Sequence, residues 1–132
     1  MGPRPLYRQV VCDFGLCADL AVARPTSKTG TRGYWSPECI GRLEQECAAD
    51  WWSFGVLLWE IFSLGLRPYI GVENHEIAKH IRKGHRLDQP DACPDEIYSG
   101  VMEQCWEMNP AARPAFDVIS ERLHGLSAET YA

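Results

Sequence analysis

The stretch that most constrains the fold of this chain is residues 50–65, DWWSFGVLLWEIFSLG, in which Glu60 is the only charge after Asp50. An amphipathic surface helix would show a polar face every three or four residues, and this stretch shows none. It is also too short and too interrupted for a membrane span, which needs ~20 consecutive apolar residues. The sequence therefore predicts a helix buried on nearly all sides, with Asp50 as its N-cap and Gly65 at its end.

Composition narrows the class of protein. A chain of 132 residues with 45% hydrophobic content is one domain, or a piece of one, with a real core. The formal net charge of −5 argues against nucleic acid or an anionic membrane as the main partner. The six cysteines show no metal-binding spacing, which favours free thiols in a reducing compartment. No signal peptide or membrane segment is visible, and the five-residue spacing of His75, His80 and His85 does not favour a metal site.

The remaining pattern predicts a mainly α fold with a little strand at its N-terminal end. We expect an irregular segment at 1–7, a tail from 125, and a partial domain over 8–124 between them. The predicted elements, in chain order, are short strands at 8–12 and 16–22, a polar basic loop at 24–33, a short helix opening at 36–38, the central helix, a helix at 72–83, a helix at 94–108 and a helix at 114–123. In the helix at 94–108 the apolar residues repeat with a four-residue step.

Asp13-Phe14-Gly15 is the first candidate for chemistry. It follows a short apolar run, and an aspartate before a flexible glycine is a sensible place to hold a divalent cation against phosphates. Taken alone, the tripeptide is equally consistent with an ordinary turn in which the glycine adopts a positive φ.

The order and spacing of the later motifs favour the first interpretation. Asp13-Phe14-Gly15 is followed by Ser36-Pro37-Glu38, then by DWWSFG at 50–55, then by Cys105-Trp106 and Arg113-Pro114. With these motifs the chain resembles the C-terminal lobe of a eukaryotic protein kinase, in which Ala-Pro-Glu is usual at 36–38 and the central helix starts D-x-W-S-x-G. The resemblance covers roughly residues 8–124. It implies helices around a buried central helix, within a parent fold that is α+β.

The resemblance also implies functional roles. Asp13, Phe14 and Gly15 would form the cofactor-binding loop, with Asp13 as the ligand of Mg²⁺ bridging the ATP phosphates. Residues 24–33 would be the activation loop, and the hydroxyls available there for phosphorylation are Thr26, Ser27, Thr29 and Thr31.

Three further residues have structural roles in the resemblance. Glu38 and Arg113 would meet as a buried ion pair that joins the activation segment to the last helices. Breaking such a pair costs ~3–5 kcal/mol, because the remaining charge is stranded. In the family, the aspartate at the position of Asp50 accepts a hydrogen bond from the catalytic-loop backbone.

The two halves of the chain give different indications of whether the substrate hydroxyl that accepts the phosphate belongs to serine or threonine, or to tyrosine. Thr31 and Tyr34, in the predicted substrate pocket, look like serine/threonine kinases, whereas tyrosine kinases usually carry proline and tryptophan there. The distal motifs, including LWEIFSLG at 58–65, look like tyrosine kinases. The tyrosine-kinase-like serine/threonine group shares this mixture. We favour transfer to serine or threonine over tyrosine, because the pocket residues bear directly on the substrate.

The sequence lacks parts that kinase chemistry requires. No Gly-rich loop, strand lysine with its helix glutamate, or His-Arg-Asp catalytic loop occurs, so no catalytic base can be named. We expect this polypeptide alone to be inactive and not to bind ATP or Mg²⁺ tightly, although the parent kinase would use both on a protein substrate. Its placement would be cytoplasmic, or in the cytoplasmic portion of a larger receptor.

The missing parts also affect packing. One side of residues 50–65 would lose its upstream neighbours and remain apolar and exposed, which predicts marginal folding in isolation. An alternative function therefore stays open, in which the chain is a truncated binding or regulatory module that uses this face to bind a protein partner.

Overall fold

The computed structural model describes residues 9–14, 32–41 and 47–130. The helices in this part are α1 (Pro37–Gly41), α2 (Cys47–Phe62), α3 (Ile77–Arg82), α4 (residues 95–105) and α5 (Phe116–Thr130), with 3₁₀ turns at Arg32–Tyr34 and Pro110–Ala112. The molecule is mainly helical, as predicted. None of the helices in the described part combines the length and the apolar content needed to cross a bilayer.

Helix α2 supplies the centre of the core. Trp52 and Val56 are completely buried, and Leu58 and Trp59 are each only 9% exposed. This confirms the predicted central helix, but its start was wrong by three residues, since α2 begins at Cys47. The small side chains Ala48 and Ala49 favour helix and are buried, so they extend the first turn backwards. Asp50 is therefore not the N-cap but an acidic residue within that turn.

The C-terminal end of α2 is closed by a Schellman motif. The Gly65 N–H donates to the Glu60 carbonyl (2.9 Å) and the Leu64 N–H donates to the Ile61 carbonyl (3.2 Å), which is the paired pattern that defines this cap. Leu64 takes the left-handed position, with φ of 59°, and Gly65 follows with φ of 86°. The prediction that the helix ends near Gly65 is correct, but the strained left-handed residue usually provided by glycine is a leucine here.

Helix α4 crosses α2 at Gly55. A Cβ atom at Gly55 would lie 2.7 Å from Trp106 Nε1 and 2.8 Å from Cys105 Cβ. The side chains of Cys105 and Trp106 therefore pack against the backbone of α2 at Gly55. Cys105 and Trp106 are buried, as are Val101 and Met102 in the preceding turn. Glycine at position 55 is thus what allows the central helix to approach α4 this closely.

Helix α4 is not a uniform α-helix. It consists of α-helical turns at Asp95–Ile97 and Glu103–Cys105 that flank a π-helical turn at Tyr98–Met102. The extra residue of a π-turn leaves a carbonyl less well paired within the helix. The Gly100 carbonyl in this turn accepts a hydrogen bond from Arg122 Nη1 of α5 (2.9 Å), which ties α4 to α5.

The other helices differ from the sequence predictions mainly at their ends. α3 begins at Ile77 rather than at residue 72, although its predicted stripe of Ile77, Ala78 and Ile81 is buried. The helix predicted over 94–108 occupies only 95–105. The helix predicted over 114–123 begins at Phe116 and continues to Thr130, through most of the segment expected to be a tail.

The N-terminal strands remain a prediction. Residues 9–13 have no regular secondary structure, and Val10 and Val11 are 74% and 80% exposed. The second predicted strand, at 16–22, lies outside the described residues. A β-strand requires a neighbouring strand for its hydrogen bonds. Because only residues 9–13 are described, the predicted pairing between the two strands is not tested.

One side of α2 and its C-terminal cap is apolar and exposed. Leu57, Ile61 and Leu64 follow one another at helical spacing and are 44%, 58% and 91% exposed. The prediction that the central helix keeps an exposed apolar side is confirmed for Leu57 and Ile61. Together with Leu64 of the cap they form what we call the α2 stripe.

Candidate functional site

The best-defined polar cluster in the described part of the chain is built around Arg113, which follows the 3₁₀ turn Pro110–Ala112. Its guanidinium is buried and all three of its nitrogens donate hydrogen bonds. Nε donates to the Glu107 carbonyl (2.9 Å), and Nη1 donates to the Ala48 carbonyl (2.9 Å) in the first turn of α2. Arg113 therefore joins the start of α2 to the turn that follows α4.

Glu38 of α1 completes the Arg113 cluster. Its two carboxylate oxygens accept from Arg113 Nη1 (2.6 Å) and Nη2 (2.9 Å), which is the bidentate geometry that arginine makes with carboxylates. The ion pair predicted from the sequence is thus present, with the arginine side chain fully buried and the glutamate side chain 27% exposed. Burial alone would raise the pKa of Glu38, but the hydrogen bonds and charge of Arg113 help to outweigh it, and the pKa lies below its ordinary value.

Two arginines contact the ring of Trp52. The Arg113 guanidinium carbon is 5.0 Å from the Trp52 ring centre, and that of Arg86 is 5.3 Å from it. Arg86 is held in place by hydrogen bonds to backbone carbonyls, among them that of Trp106 (3.1 Å) and that of Ile81 (2.9 Å). The central helix, α3 and α4 are therefore connected through one ring and two cations.

The segment 32–41 is attached to the helical body at two further points. Ser53 Oγ of α2 donates to the Tyr34 carbonyl (2.7 Å), which fixes the 3₁₀ turn Arg32–Tyr34 against the central helix. Arg82 Nη2 of α3 lies 3.5 Å from the Pro37 carbonyl, at the start of α1. Together with the Glu38–Arg113 pair, these contacts make 32–41 a segment whose backbone position is set by α2 and α3.

The structure describes only some of the residues that the sequence singled out. Asp13 has a left-handed φ of 65°, and the ring of Phe14 is 64% exposed. Asp50 lies in the first turn of α2 and is exposed as a whole residue, but neighbouring atoms keep part of the water from its carboxyl, and this desolvation raises its pKa. The predicted site residues Gly15, Thr26, Ser27, Thr29 and Thr31 lie outside the described residues.

The described residues include no cluster of metal-type side chains. Within residues 9–14, 32–41 and 47–130, no three side chains of the His, Cys, Asp or Glu type are grouped closely enough to hold a metal ion. Asp13 would supply one carboxylate, and Mg²⁺ needs near-octahedral coordination that is usually completed by phosphates and waters. No step of a reaction can be assigned to these residues alone.

Some important residues were missed from the sequence. Arg86 and Ser53 were noted only as parts of motifs, although Arg86 packs on Trp52 and Ser53 holds the Tyr34 backbone. A signal for Ser53 was present, because a serine in an otherwise apolar buried helix must find a hydrogen-bond partner. The partner itself, a backbone carbonyl nineteen residues away, could not be read from the sequence.

The cluster of Arg113, Glu38, Trp52 and Arg86 can position a backbone segment, and both carboxylate oxygens of Glu38 accept hydrogen bonds from Arg113. A bidentate ion pair at the junction of three segments fixes their relative orientation.

Comparisons with known proteins are consistent with this arrangement. A family model described as protein tyrosine and serine/threonine kinase matches residues 8–123. Tyrosine-protein kinase SYK of Gallus gallus is 39% identical over 118 residues, which are 86% of this chain and 19% of that protein. Tyrosine-protein kinase Srms of Homo sapiens is 40% identical over 119 residues (88% and 24%), and a fibroblast growth factor receptor of Halocynthia roretzi is 42% identical over 125 residues (91% and 16%).

The chain thus spans about a fifth of the length of these relatives. The matched region includes the Glu38–Arg113 pair, the central helix α2 and most of α5. Because the family model covers most of the sequence, the chain belongs to the protein tyrosine and serine/threonine kinase family.

Proposed function

We propose that this chain is the C-terminal part of a protein kinase that, when whole, transfers the γ-phosphate of ATP to a hydroxyl of a protein substrate. The observation that carries the proposal is the family match over residues 8–123. The bidentate Glu38–Arg113 pair supports it, because it fixes a segment that would follow the activation loop. Phosphoryl transfer depends chiefly on positioning and electrostatics, so a rigid platform under the substrate segment suits this chemistry.

Within this proposal each predicted site residue keeps a role. Asp13, with Phe14 and Gly15 beside it, would hold Mg²⁺, which when bound neutralises charge on the ATP phosphates. The hydroxyls of Thr26, Ser27, Thr29 and Thr31 would be phosphorylation sites in the activation loop. Thr31 and Tyr34 would line the substrate pocket, and the hydrogen bond from Ser53 to the Tyr34 carbonyl supports a fixed backbone there.

The comparisons change our choice of the amino acid that accepts the phosphate. Thr31 and Tyr34 favour serine or threonine, as argued from the sequence. The relatives named as tyrosine-protein kinases, at 39% and 40% identity, favour tyrosine. We propose that the parent kinase acts on tyrosine, and retain serine or threonine as the alternative. A pair of peptides that differ only in tyrosine or serine at the acceptor position distinguishes the two.

We further propose that the chain alone is inactive, since the sequence contains no His-Arg-Asp loop or strand lysine. The purified chain should transfer no phosphate from ATP above an Asp13→Ala control. A chimera that joins residues 8–123 to the preceding half of a related kinase domain should be active. Asp13→Ala should abolish activity of the chimera, whereas Asp91→Ala, which removes an exposed carboxylate elsewhere, should preserve it.

Two results would contradict this reading. Phosphotransfer by the chain alone, lost on Asp13→Ala, would show that the missing parts are unnecessary. A correctly folded chimera in which Asp13→Ala leaves the rate unchanged would remove Asp13 from the chemistry. Folding of each chimera is checked by circular dichroism and by its thermal transition.

A second function, that of a binding module without catalysis, is favoured by the α2 stripe of Leu57, Ile61 and Leu64. An exposed apolar helix face of this kind commonly contacts another protein. Placement in a reducing, cytoplasmic compartment suits both functions, and the five described cysteines are all free.

A further inference from the structure

A cavity of about 180 Å³ lies on the side of α3. Its walls carry the basic side chains of Lys79, His80, Lys83 and His85, and a single carboxylate, Glu76. The turn at Gly71 and Val72 closes the other side of the cavity. We call this feature the His/Lys cavity. It is separate from the Arg113 cluster, and neither the motifs nor the family match gives it a role.

The two lysines of the His/Lys cavity have no ion-pair partner among the described residues. In the part of the chain that the structure describes, neither Lys79 nor Lys83 makes an ion pair or a side-chain hydrogen bond, and Glu76 pairs with no cation. The lysines therefore keep their donors free. Two ammonium groups around one small concavity create a positive potential that attracts an anion.

The two imidazoles of the cavity are stacked on each other. The rings of His80 and His85 have centroids 4.4 Å apart and planes inclined by 19°. The Tyr69 ring meets His80 edge-on at 6.1 Å. The pKa of His80 is lowered, because burial, His85 and Lys83 all disfavour its charged form. The charged or titratable neighbours of His80 are thus His85, Lys83, Lys79, Glu76 and Tyr69.

This arrangement does not suit a transition metal. Two ring nitrogens that share a tetrahedral zinc ion, at Zn–N distances of about 2.0–2.1 Å, must converge on one point. The rings of His80 and His85 instead lie nearly parallel, with a 4.4 Å separation. The metal-type side chains of the described residues also include no group of three that could hold an ion.

We propose that the His/Lys cavity binds a phosphate-type dianion, either free or carried as a phosphomonoester on a protein side chain, and binds it more tightly as the pH falls. Lys79 and Lys83 would provide permanent charge. Protonation of His80 would add a donor, and a bound dianion would offset the unfavourable effect of Lys83 and of the stacked His85 ring on the charged form of His80. This function needs neither ATP nor phosphotransfer and so goes beyond the proposed kinase activity.

The test uses the full 132-residue chain and isothermal titration calorimetry, with histidine chemical shifts followed by NMR. Sulfate is the first probe, because its charge is constant across the range in which imidazole titrates. Its affinity should be roughly tenfold higher near pH 6 than near pH 8, at constant ionic strength set with chloride. Saturation with sulfate should move the NMR titration of His80 to higher pH.

Variants locate the effect. The double variant Lys79→Gln/Lys83→Gln should lose at least about tenfold in sulfate affinity, and Glu76→Gln should increase it. His80→Gln/His85→Gln should remove the pH dependence. The matched controls, His75→Gln and Arg67→Gln, remove a histidine and a positive charge outside the cavity and should leave binding unchanged.

Inorganic phosphate and a phosphotyrosine peptide then identify the source of the anion. Tighter binding of the peptide than of phosphate assigns the cavity to a modified protein side chain, and equal binding assigns it to the free anion. The proposal is overturned if neither binds, if chloride gives the same response as sulfate, or if the lysine variants bind normally. Loss of kinase activity in any chimera has no bearing on these outcomes, because the readout is binding to the chain itself.

Discussion

Replacing Glu38 with glutamine removes the negative charge from the Arg113 cluster while preserving the size of the side chain. In the native protein Arg113 Nη1 and Nη2 each donate to one carboxylate oxygen, at 2.6 and 2.9 Å. Glutamine can present a carbonyl to only one of these nitrogens, and its amide group cannot accept from the other. The variant therefore leaves a buried guanidinium without its counter-charge and with one donor unsatisfied.

The expected cost lies between two limits. Breaking a fully buried ion pair costs ~3–5 kcal/mol, whereas an exposed surface pair contributes less than ~1 kcal/mol. The Arg113 side chain is fully buried but the Glu38 side chain is 27% exposed, so water can partly solvate what remains. Arg113 also keeps its hydrogen bonds to the Glu107 and Ala48 carbonyls. We expect Glu38→Gln to lower the free energy of unfolding by about 2 kcal/mol near neutral pH.

The pH dependence gives a second signature. The pKa of Glu38 is lower in the folded protein than its ordinary value of 4.5. A carboxyl with a depressed folded pKa stabilises the protein above its unfolded pKa, and this contribution is lost as the pH falls through the folded pKa. The difference in stability between the native chain and Glu38→Gln should therefore be constant near neutrality and should shrink below the ordinary pKa.

Urea unfolding followed by tryptophan fluorescence measures both effects, since Trp52 lies against Arg113. Glu73→Gln, which removes an exposed carboxylate, is the matched control and should change stability by less than ~0.5 kcal/mol. A cost for Glu38→Gln below ~0.5 kcal/mol, or one that does not change in acid, would refute the argument that this pair is a buried junction.

Three further perturbations test the packing. Gly55→Ala should destabilise the chain by about 1–2 kcal/mol in the same urea assay. The added Cβ would clash with buried Trp106, and the energetic cost of this clash should exceed the gain in helix propensity; unchanged stability would contradict this contact. Leu64→Gly should stabilise the chain by about 0.5 kcal/mol, because glycine adopts the left-handed φ of 59° without strain and the exposed leucine side chain contributes no packing. A lower urea midpoint would count against the assigned cap. Leu57→Gln/Ile61→Gln should reduce binding of a hydrophobic dye and self-association in sedimentation, with stability changed by less than ~0.5 kcal/mol; undiminished dye binding would exclude the α2 stripe as the exposed surface.

The sequence was sufficient for features that arise from local composition or from a pattern repeated at short range. The apolar run at 50–65 predicted a buried helix, and Trp52 and Val56 are at the centre of the core, although Leu57 and Ile61 are exposed. The start of this helix could not be predicted, because Asp50 is a good capping residue in isolation. Asp50 instead lies in the first turn of the helix, and the Ala48 carbonyl in that turn accepts a hydrogen bond from Arg113, sixty-five residues away.

The Glu38–Arg113 pair was predicted only from the resemblance to protein kinases. Nothing in the local sequence of either residue requires them to meet, since they are seventy-five positions apart. The other parts of the cluster, the stacking of Arg86 on Trp52 and the hydrogen bond from Ser53, were not predicted. Arginines and serines are common on protein surfaces, and only the tertiary fold places these particular ones against the central helix.

The π-turn in α4 shows a signal that was visible in the sequence but was interpreted too simply. The apolar pairs Ile97–Tyr98, Val101–Met102 and Cys105–Trp106 recur with a step of four residues. In a regular α-helix such a step rotates the apolar face by about 40° each time, so the last pair would drift away from the first. A turn with i→i+5 hydrogen bonds, such as that from the Glu103 N–H to the Tyr98 carbonyl, reduces this rotation. The strict four-residue step was therefore evidence for wider winding, and that winding helps to bring Cys105 and Trp106 onto Gly55.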